Sequence, residues 1–389
     1  MRRVISVFLI SVLLLLMAVS AAMAGEICSE PERCETDDLT WEFDEDTGTL
    51  MLHGSGPMRT YLNEVPEWEV YREQITTVCL DDGITSVGEC AFYNYGSLQT
   101  AVLPDSIEVI DSFAFYYCWA LRSITIPAKL RYAGRMCFYN TLIHDPADIV
   151  FPEGMEYIGD EAFHSALKTD GRYVIPSAVR YIGTCALTNA MVSDIDVDAN
   201  NPFYMSQNHA LLTKDGTELL MAAPCAEETE YTVPEGVVKI GRECFNVMLN
   251  LRKLTIPSSV TEIENAAIFS TFNLQEISVV ADNPAYKTID GGLYTIDGKT
   301  LVAYPDGIDV GGQLVIPEGV ERIAPYVFYG RLDEDLTVTL PGSLKEIGEM
   351  SMPGGVTEVV YGGSEADWQA VIIGNGNNSL ENAVIRCDG

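Results

Sequence analysis

Apolar residues recur in a fixed order along most of the chain. An apolar–proline step returns at Leu103-Pro104, Ile126-Pro127, Phe151-Pro152, Ile175-Pro176, Val233-Pro234, Ile256-Pro257, Ile316-Pro317 and Leu340-Pro341. Neighbouring prolines are 23, 25 and 24 residues apart, then 58, 23, 60 and 24, so each long gap holds one extra unit plus an insertion. A unit has two halves. The first reads L-x-x-I-x-I-P, as in Leu121, Ile124, Ile126, Pro127 and again Leu251, Leu254, Ile256, Pro257. Alternation over its last apolar positions predicts a short strand with one face inward. Proline ends that strand because it has no N–H for the ladder. The second half reads V-x-x-I-G-x-x-A-F, as in Ile84 to Phe92, Met155 to Phe163 and Val237 to Phe245. Its glycine suits a tight corner.

Aligning the units gives columns. A small-residue column runs Ala91, Ala114, Cys137, Ala162, Ala186, Cys244, Ala267, Val327, Ser351. The next runs Phe92, Phe115, Phe138, Phe163, Leu187, Phe245, Ile268, Phe328, Met352. No unit can bury its aromatic alone, whereas a stack buries all of them in one core. The predicted fold is therefore a solenoid of roughly a dozen coils, each of about 22–25 residues, β-rich with short helical turns. At ~4.8 Å per paired strand the array is roughly 55 Å long.

Both ends carry capping signals, which a solenoid needs to cover its terminal coils. Leu39 to Phe43, an acidic turn, and Thr49 to Leu52 predict a hairpin, and Pro66 to Arg72 a short helix with proline in its first turn. Ser364 to Val371 predicts an amphipathic helix with Ser364 as N-cap, and Ala383 to Ile385 an edge strand. Two insertions copy one another: Asn201-Pro202-Phe203-Tyr204 through Asp215-Gly216 matches Asn283-Pro284-Ala285-Tyr286 through Asp297-Gly298, each offset by 82 residues. Asp-Gly between short apolar runs predicts hairpins, expected to project from the stack as braces or as binding surface. The expected organisation is a leader at 1–24, an N-terminal cap at 25–74, repeats at 75–361 with insertions at 198–230 and 280–313, and a C-terminal cap at 362–389.

Charge narrows the partner class. Lys plus Arg number 23 against 57 Asp plus Glu, giving a formal charge of −34, which repels phosphate backbones and anionic lipid. Nucleic acid is thereby disfavoured, and the acidity itself reads as solubility. Met1-Arg2-Arg3, the apolar run Val4 to Val19, and Ala22-Met23-Ala24 read as a secretory leader cleaved before Gly25. The expected location is secreted or extracellular, with association at the cell surface, and no membrane span after cleavage. An exported chain with ten cysteines suggests disulfides. Cys90, Cys118, Cys137, Cys185 and Cys244 instead fall in or beside core slots and are expected as buried thiols. Cys28 and Cys34 are the best disulfide pair.

Candidate chemistry is sparse. His53, His144, His164 and His209 lack metal-type partners at short spacing, and no cysteine pair has the C-x-x-C spacing. His53-Gly54-Ser55-Gly56 lacks the strand–turn–helix setting of a nucleophile elbow and reads as a turn. His164 reads as a polar corner residue, and Asp194-Ile195-Asp196-Val197-Asp198 as a solvated strand end rather than a Ca²⁺ loop. No catalytic residue, metal or cofactor is expected. The candidate interaction face is the outer side of the first-half strands. Its central column is Cys79, Val102, Thr125, Val150, Val174, Asp196, Thr232, Thr255, Ser278, Val315, Thr339, Val360. Arg122, Arg252, Gln275 and Thr357 flank that column.

These units resemble the BspA-like leucine-rich repeat family of bacterial exported proteins, over roughly residues 34 to 387. The resemblance rests on the two repeat halves, the Leu39-Thr40-Trp41 start, the two Asn-Pro-x-Tyr hairpins and the Tyr361-Gly362-Gly363-Ser364…Trp368 end. It implies a right-handed β/α superhelix, in a family some of whose members bind host or neighbouring-cell proteins. The function this implies is a protein-interaction or adhesion module with a protein ligand on a cell surface or matrix. A structural cell-envelope component, or a carbohydrate-binding protein using aromatics such as Tyr116, Tyr117 and Trp119, are the alternatives. Those three aromatics are expected to pack into the corner of their coil.

Overall fold

The computed structural model describes residues 39–143, 149–166, 171–224, 227–331 and 333–389. The expected leader, the Cys28/Cys34 pair, Cys225 and His144 lie outside the described residues. Thr36–Gly389 forms one unit, distinct from Met1–Glu35.

Each repeat contributes two short parallel strands joined by turns, and the units stack into a β-solenoid of about 13 turns with very little helix. The first-half strands pair with strict register: Leu50↔Val78↔Ala101↔Ile124 face inward and are buried, whereas Met51↔Cys79↔Val102 face outward. Further along, Thr232↔Thr255↔Ser278 and Val315↔Thr339↔Val360 continue the outer column. The second-half strands form the other ladder, for example Ile110↔Ala133↔Ile158↔Ile182.

The second half turns its corner without forming helix, because its hydrogen bonds run between coils. The amides of Cys90, Phe92 and Asn94 donate to the carbonyls of Ser112, Ala114 and Tyr116 one coil on, and the pattern repeats along the stack. The geometry requires left-handed residues on both sides of the aromatic slot, such as Phe113 (φ 59°) and Tyr117 (φ 57°). Each costs about 1 kcal/mol or more in a non-glycine residue, a strain the inter-coil bonds hold in place. The glycine of the I-G step serves close approach rather than a tight turn. A Cβ on Gly134 would lie 2.4 Å from the Ser112 amide of the preceding coil.

The small column is buried from Ala91 to Ser351. Beside it the rings of Trp68, Phe92, Phe115, Phe138 and Phe163 stack in order at 6.0, 5.2, 5.4 and 5.2 Å. Trp68 begins this stack from the 3₁₀ helix Glu67–Tyr71, so the N-terminal cap feeds the core directly. The hairpin Thr40–Asp44/Thr49–His53 covers the first coil edge. At the other end Ser364 caps the helix Glu365–Ala370 in a capping box, and Val384–Cys387 pairs parallel to Val356–Tyr361. Cys118, Cys137, Cys185 and Cys244 are buried free thiols, and Cys90 is a half-buried one. Burial pushes the Cys90 and Cys118 thiols up to about 12.

The insertions do not project; they lie within the stack. Tyr204–Gln207, Ala210–Thr213 and Glu218–Ala222 form an antiparallel meander whose last strand joins the second ladder beside Lys239–Ile240. Tyr286–Ile289, Gly292–Thr295 and Thr300–Ala303 do the same beside Arg322–Ile323. Each meander separates two cores. Leu211 packs with the core before it and Leu212 with the core after it, and Leu293 and Tyr294 divide likewise. The described chain is thus three core blocks with a hairpin sheet between successive blocks. Asn201 anchors the first insertion: fully buried, it donates to the Pro176 and Val179 carbonyls and accepts from the Phe203 and Tyr204 amides. Asn283 repeats every one of these bonds, with Pro257, Val260, Ala285 and Tyr286. Tyr204 and Tyr286 then place their hydroxyls on the amides of Ile182 and Ile263, covering the ladder edges that the insertions create.

Candidate interaction surface

The two strand faces differ in their central columns. On the second ladder, Tyr132, Tyr157 and Tyr181 stack at 4.6 Å, and ion pairs run from coil to coil. Lys239 bridges Glu218 and Glu264 at 2.9 and 2.7 Å, and Lys299 meets Glu321 at 2.7 Å. Burial opposes the Lys239 charge, but these two carboxylates hold its pKa above the usual lysine value. The first ladder carries ion pairs too, Lys253–Glu276 and Arg386–Glu358 at 2.8 Å and Arg172–Asp196 at 3.3 Å, but apart from Asp196 its central column is uncharged. Val102, Val150 and Val315 are 52%, 58% and 58% exposed, with threonines between them.

The expected face residues fall where the repeat put them. Thr255, Ser278 and Thr339 sit in the outer column, and Thr125 follows the end of Ser123–Ile124. Arg122, Arg252 and Gln275 sit exposed at the entry to their strands, and neither arginine has an ion pair among the described residues. Thr357 departs from this arrangement. Leu336 pairs with Val356 and Thr337 with Glu358, so Thr357 is the extra residue of a bulge, out of register with the other three. The face is also segmented, because its hydrogen-bonded ladder breaks between Ile124 and Ile149 and again at each insertion.

One other expectation needs correction. Trp119 is not packed into its corner: it is 59% exposed, its indole lying on Gly96, where a Cβ would sit 2.2 Å from Nε1. Tyr116 does stack, at 4.9 Å on Tyr93 and 5.3 Å on Tyr139. His164 is a polar residue at the corner of its coil. It is buried, stacks on Tyr139 at 4.9 Å, and its Nε2 meets Glu243 Oε2 at 2.8 Å across the first insertion. Thr188 Oγ1 and Asn246 Nδ2 donate to the same carboxylate oxygen at 3.2 Å. The second insertion is sealed at the equivalent place by rings, Phe269 meeting Tyr326 and Tyr329 at 6.2 and 5.7 Å. Sequence could not show the ionic seal, since its partners lie 79 residues apart.

This seal titrates. Burial pushes the Glu243 carboxyl up, but the His164 contact, Arg242 and Thr188 outweigh it and hold the pKa below 4.5. A depressed carboxylate contributes stability above its unfolded pKa and loses it as pH falls through the folded one. Glu161, whose pKa burial raises, acts with the opposite sign. Glu243→Gln is expected to lower the thermal midpoint at neutral pH and to flatten its fall below about pH 4.5. An unchanged acid slope in thermal melts would sink this assignment.

His53 bridges Asp81 and Glu42 at the end of its hairpin strand, and Gly54 and Gly56 make the expected turn. Asp194 and Asp196 are engaged by His209 and Arg172 at 3.0 and 3.3 Å. Among the described residues, no group of three or more His, Cys, Asp or Glu is placed to hold a metal, and no helix is long and apolar enough to cross a membrane. Among the described residues, two clefts stand out on the surface. One, of 390 Å³, lies among Trp41, Arg59, Tyr61 and Glu67, and one of 270 Å³ lies between Tyr181–Thr188 and Lys239–Arg242.

The BspA type leucine-rich repeat region matches in six copies over residues 65–201 and 223–295, more than half of the chain. The chain belongs to the BspA-type leucine-rich repeat family. No curated protein sequence matches it significantly. Among solved structures, it is similar to a leucine-rich repeat protein from Eubacterium ventriosum, at 23% identity and a TM-score of 0.57, over 82% of this chain and 87% of that one. It is also similar to a leucine-rich cell surface protein from Faecalibacterium prausnitzii, at 19% identity and a TM-score of 0.52, over 88% and 98% of the two chains. These likenesses establish the fold.

Proposed function

We propose that this BspA-type protein is an exported, surface-associated interaction module that holds a protein partner on its first-ladder face. One observation carries the reading. Apart from Asp196, the exposed central column of the first ladder is a row of valine, threonine and other uncharged residues, and Arg122 and Arg252 at its flank have no ion pair among the described residues. Extended solenoid faces bind proteins because a rigid array presents many side chains at once. The cell-surface description of the Faecalibacterium prausnitzii protein, which shares the fold, favours the surface location.

The test is a screen of the purified protein against extracellular-matrix proteins, mucins and intact bacterial and animal cells. Arg122→Glu with Arg252→Glu is the matched control. Saturable binding that weakens at least about tenfold in the control is the expected result. Binding that the control leaves unchanged moves the partner off this face. No binding to any of them favours a structural envelope role.

A further inference from the structure

Trp119, Leu249 and Phe272 occupy the same slot in three coils, four residues after the core aromatic position. All three are exposed apolar side chains. Three residues further along each coil stand Arg122, Arg252 and Gln275, at the entry to the first-ladder strands. The corner therefore carries one combination in repeat: an exposed apolar side chain beside a polar, chiefly cationic one. Trp119 is the strongest case. Gly96 leaves room for the indole, which is 59% exposed, and Tyr93 and Tyr117 are exposed on the same two coils.

Arg122 and Arg252, like Lys129 and Arg180, have no ion pair among the described residues. With 57 acidic residues against 23 basic ones, carboxylates abound, and most basic side chains along the stack have one. Lys253, the immediate neighbour of Arg252, pairs with Glu276 at 2.8 Å, while Arg252 pairs with nothing among the described residues. A guanidinium with no ion pair among the described residues can grip an incoming carboxylate with two parallel hydrogen bonds. Tryptophan, tyrosine and arginine are also the side chains that dominate binding energy at protein interfaces.

We propose that the Trp119–Arg122 corner is the anchoring point of the partner, and that it takes a protein segment presenting a carboxylate next to an aromatic or large aliphatic side chain. The apolar group lies on the Trp119 indole and the carboxylate meets Arg122. Leu249, Phe272 and Arg252 offer a second, weaker copy of the same site further along the stack. This rests on the first-ladder face being the interaction surface, and it names the edge of that face that dominates and the chemistry it reads.

The probe is a display library of random linear peptides selected on the full-length protein, with affinities of the enriched peptides measured by titration. Enriched peptides are expected to carry Asp or Glu within a few positions of an aromatic or large aliphatic residue. Their affinity should fall at least about tenfold in Trp119→Ala and in Arg122→Glu, and be largely retained in Trp119→Tyr. Thermal midpoints of the variants, expected within a few degrees of wild type because both side chains are exposed, exclude misfolding as the cause. Enrichment without acidic residues, an empty selection, or peptides that bind Trp119→Ala and Arg122→Glu undiminished would each overturn the proposal. A protein partner from the surface screen that depends on Val102 and Val315 but ignores Trp119 would overturn it too, while leaving the face reading intact.

Discussion

Replacing Phe115 by alanine is expected to cost about 4 kcal/mol, the cost typical of a large aromatic lost from a core. The ring has no exposure and stacks between Phe92 and Phe138 at 5.2 and 5.4 Å, so its removal leaves a void that both neighbours border. The flanking coils cannot close over it, because their inter-coil hydrogen bonds fix the spacing. Damage should spread along the first block, where the stack runs unbroken from Trp68 to Phe163, and stop at the first hairpin sheet. In urea unfolding, the transition reported by the first-block tryptophans should move to lower denaturant while that of Trp368, in the third block, moves little. A loss below about 1 kcal/mol would mean that the rings do not share one core.

Asn201→Asp is the second large effect, because it changes one atom and inverts the hydrogen-bond demand. The Asn201 amide nitrogen donates to two carbonyls, at 2.9 and 3.0 Å, from a side chain with no solvent exposure. A carboxylate there would face two carbonyl oxygens with no proton between them. The expected cost at neutral pH exceeds about 3 kcal/mol, from a buried charge and two unpaired acceptors. Protonation restores one donor, so the introduced carboxyl has a raised folded pKa. A raised carboxyl destabilises above its unfolded value of about 3.9 and ceases to do so below it. The gap between variant and wild type should therefore narrow as pH falls toward about 4. Asn283→Asp should behave alike, since its four bonds are the same. A defect independent of pH would contradict the assignment.

These two positions mark what the sequence could and could not reveal. Phe115 was legible because it recurs: a period of about two dozen residues placed it in a column whose neighbours had to touch. The outer face was legible for the same reason, since strand alternation fixes which residue points outward. The insertions were legible as hairpins but not as layers of the stack. Alternation in Ala210–Thr213 is lost because both faces of that sheet are buried, and no local pattern distinguishes a buried meander from a projecting one. The misreading of Trp119 has a similar origin. An aromatic after a core slot ordinarily packs inward, and only the glycine one coil back, at position 96, shows that the indole lies outside. The Thr357 bulge left no signature, because Val356 and Val359 keep the repeat spacing on either side of it.

The measurement that bears most directly on the central claim is hydrogen exchange of the protein alone and with the first partner the surface screen returns. Binding on the first-ladder face predicts added protection in Thr77–Leu80, Thr100–Val102 and the strands Lys253–Ile256 and Leu336–Leu340, with the second-ladder strands unchanged. Protection confined to the second ladder, to the hairpin sheets or to the two caps would contradict it.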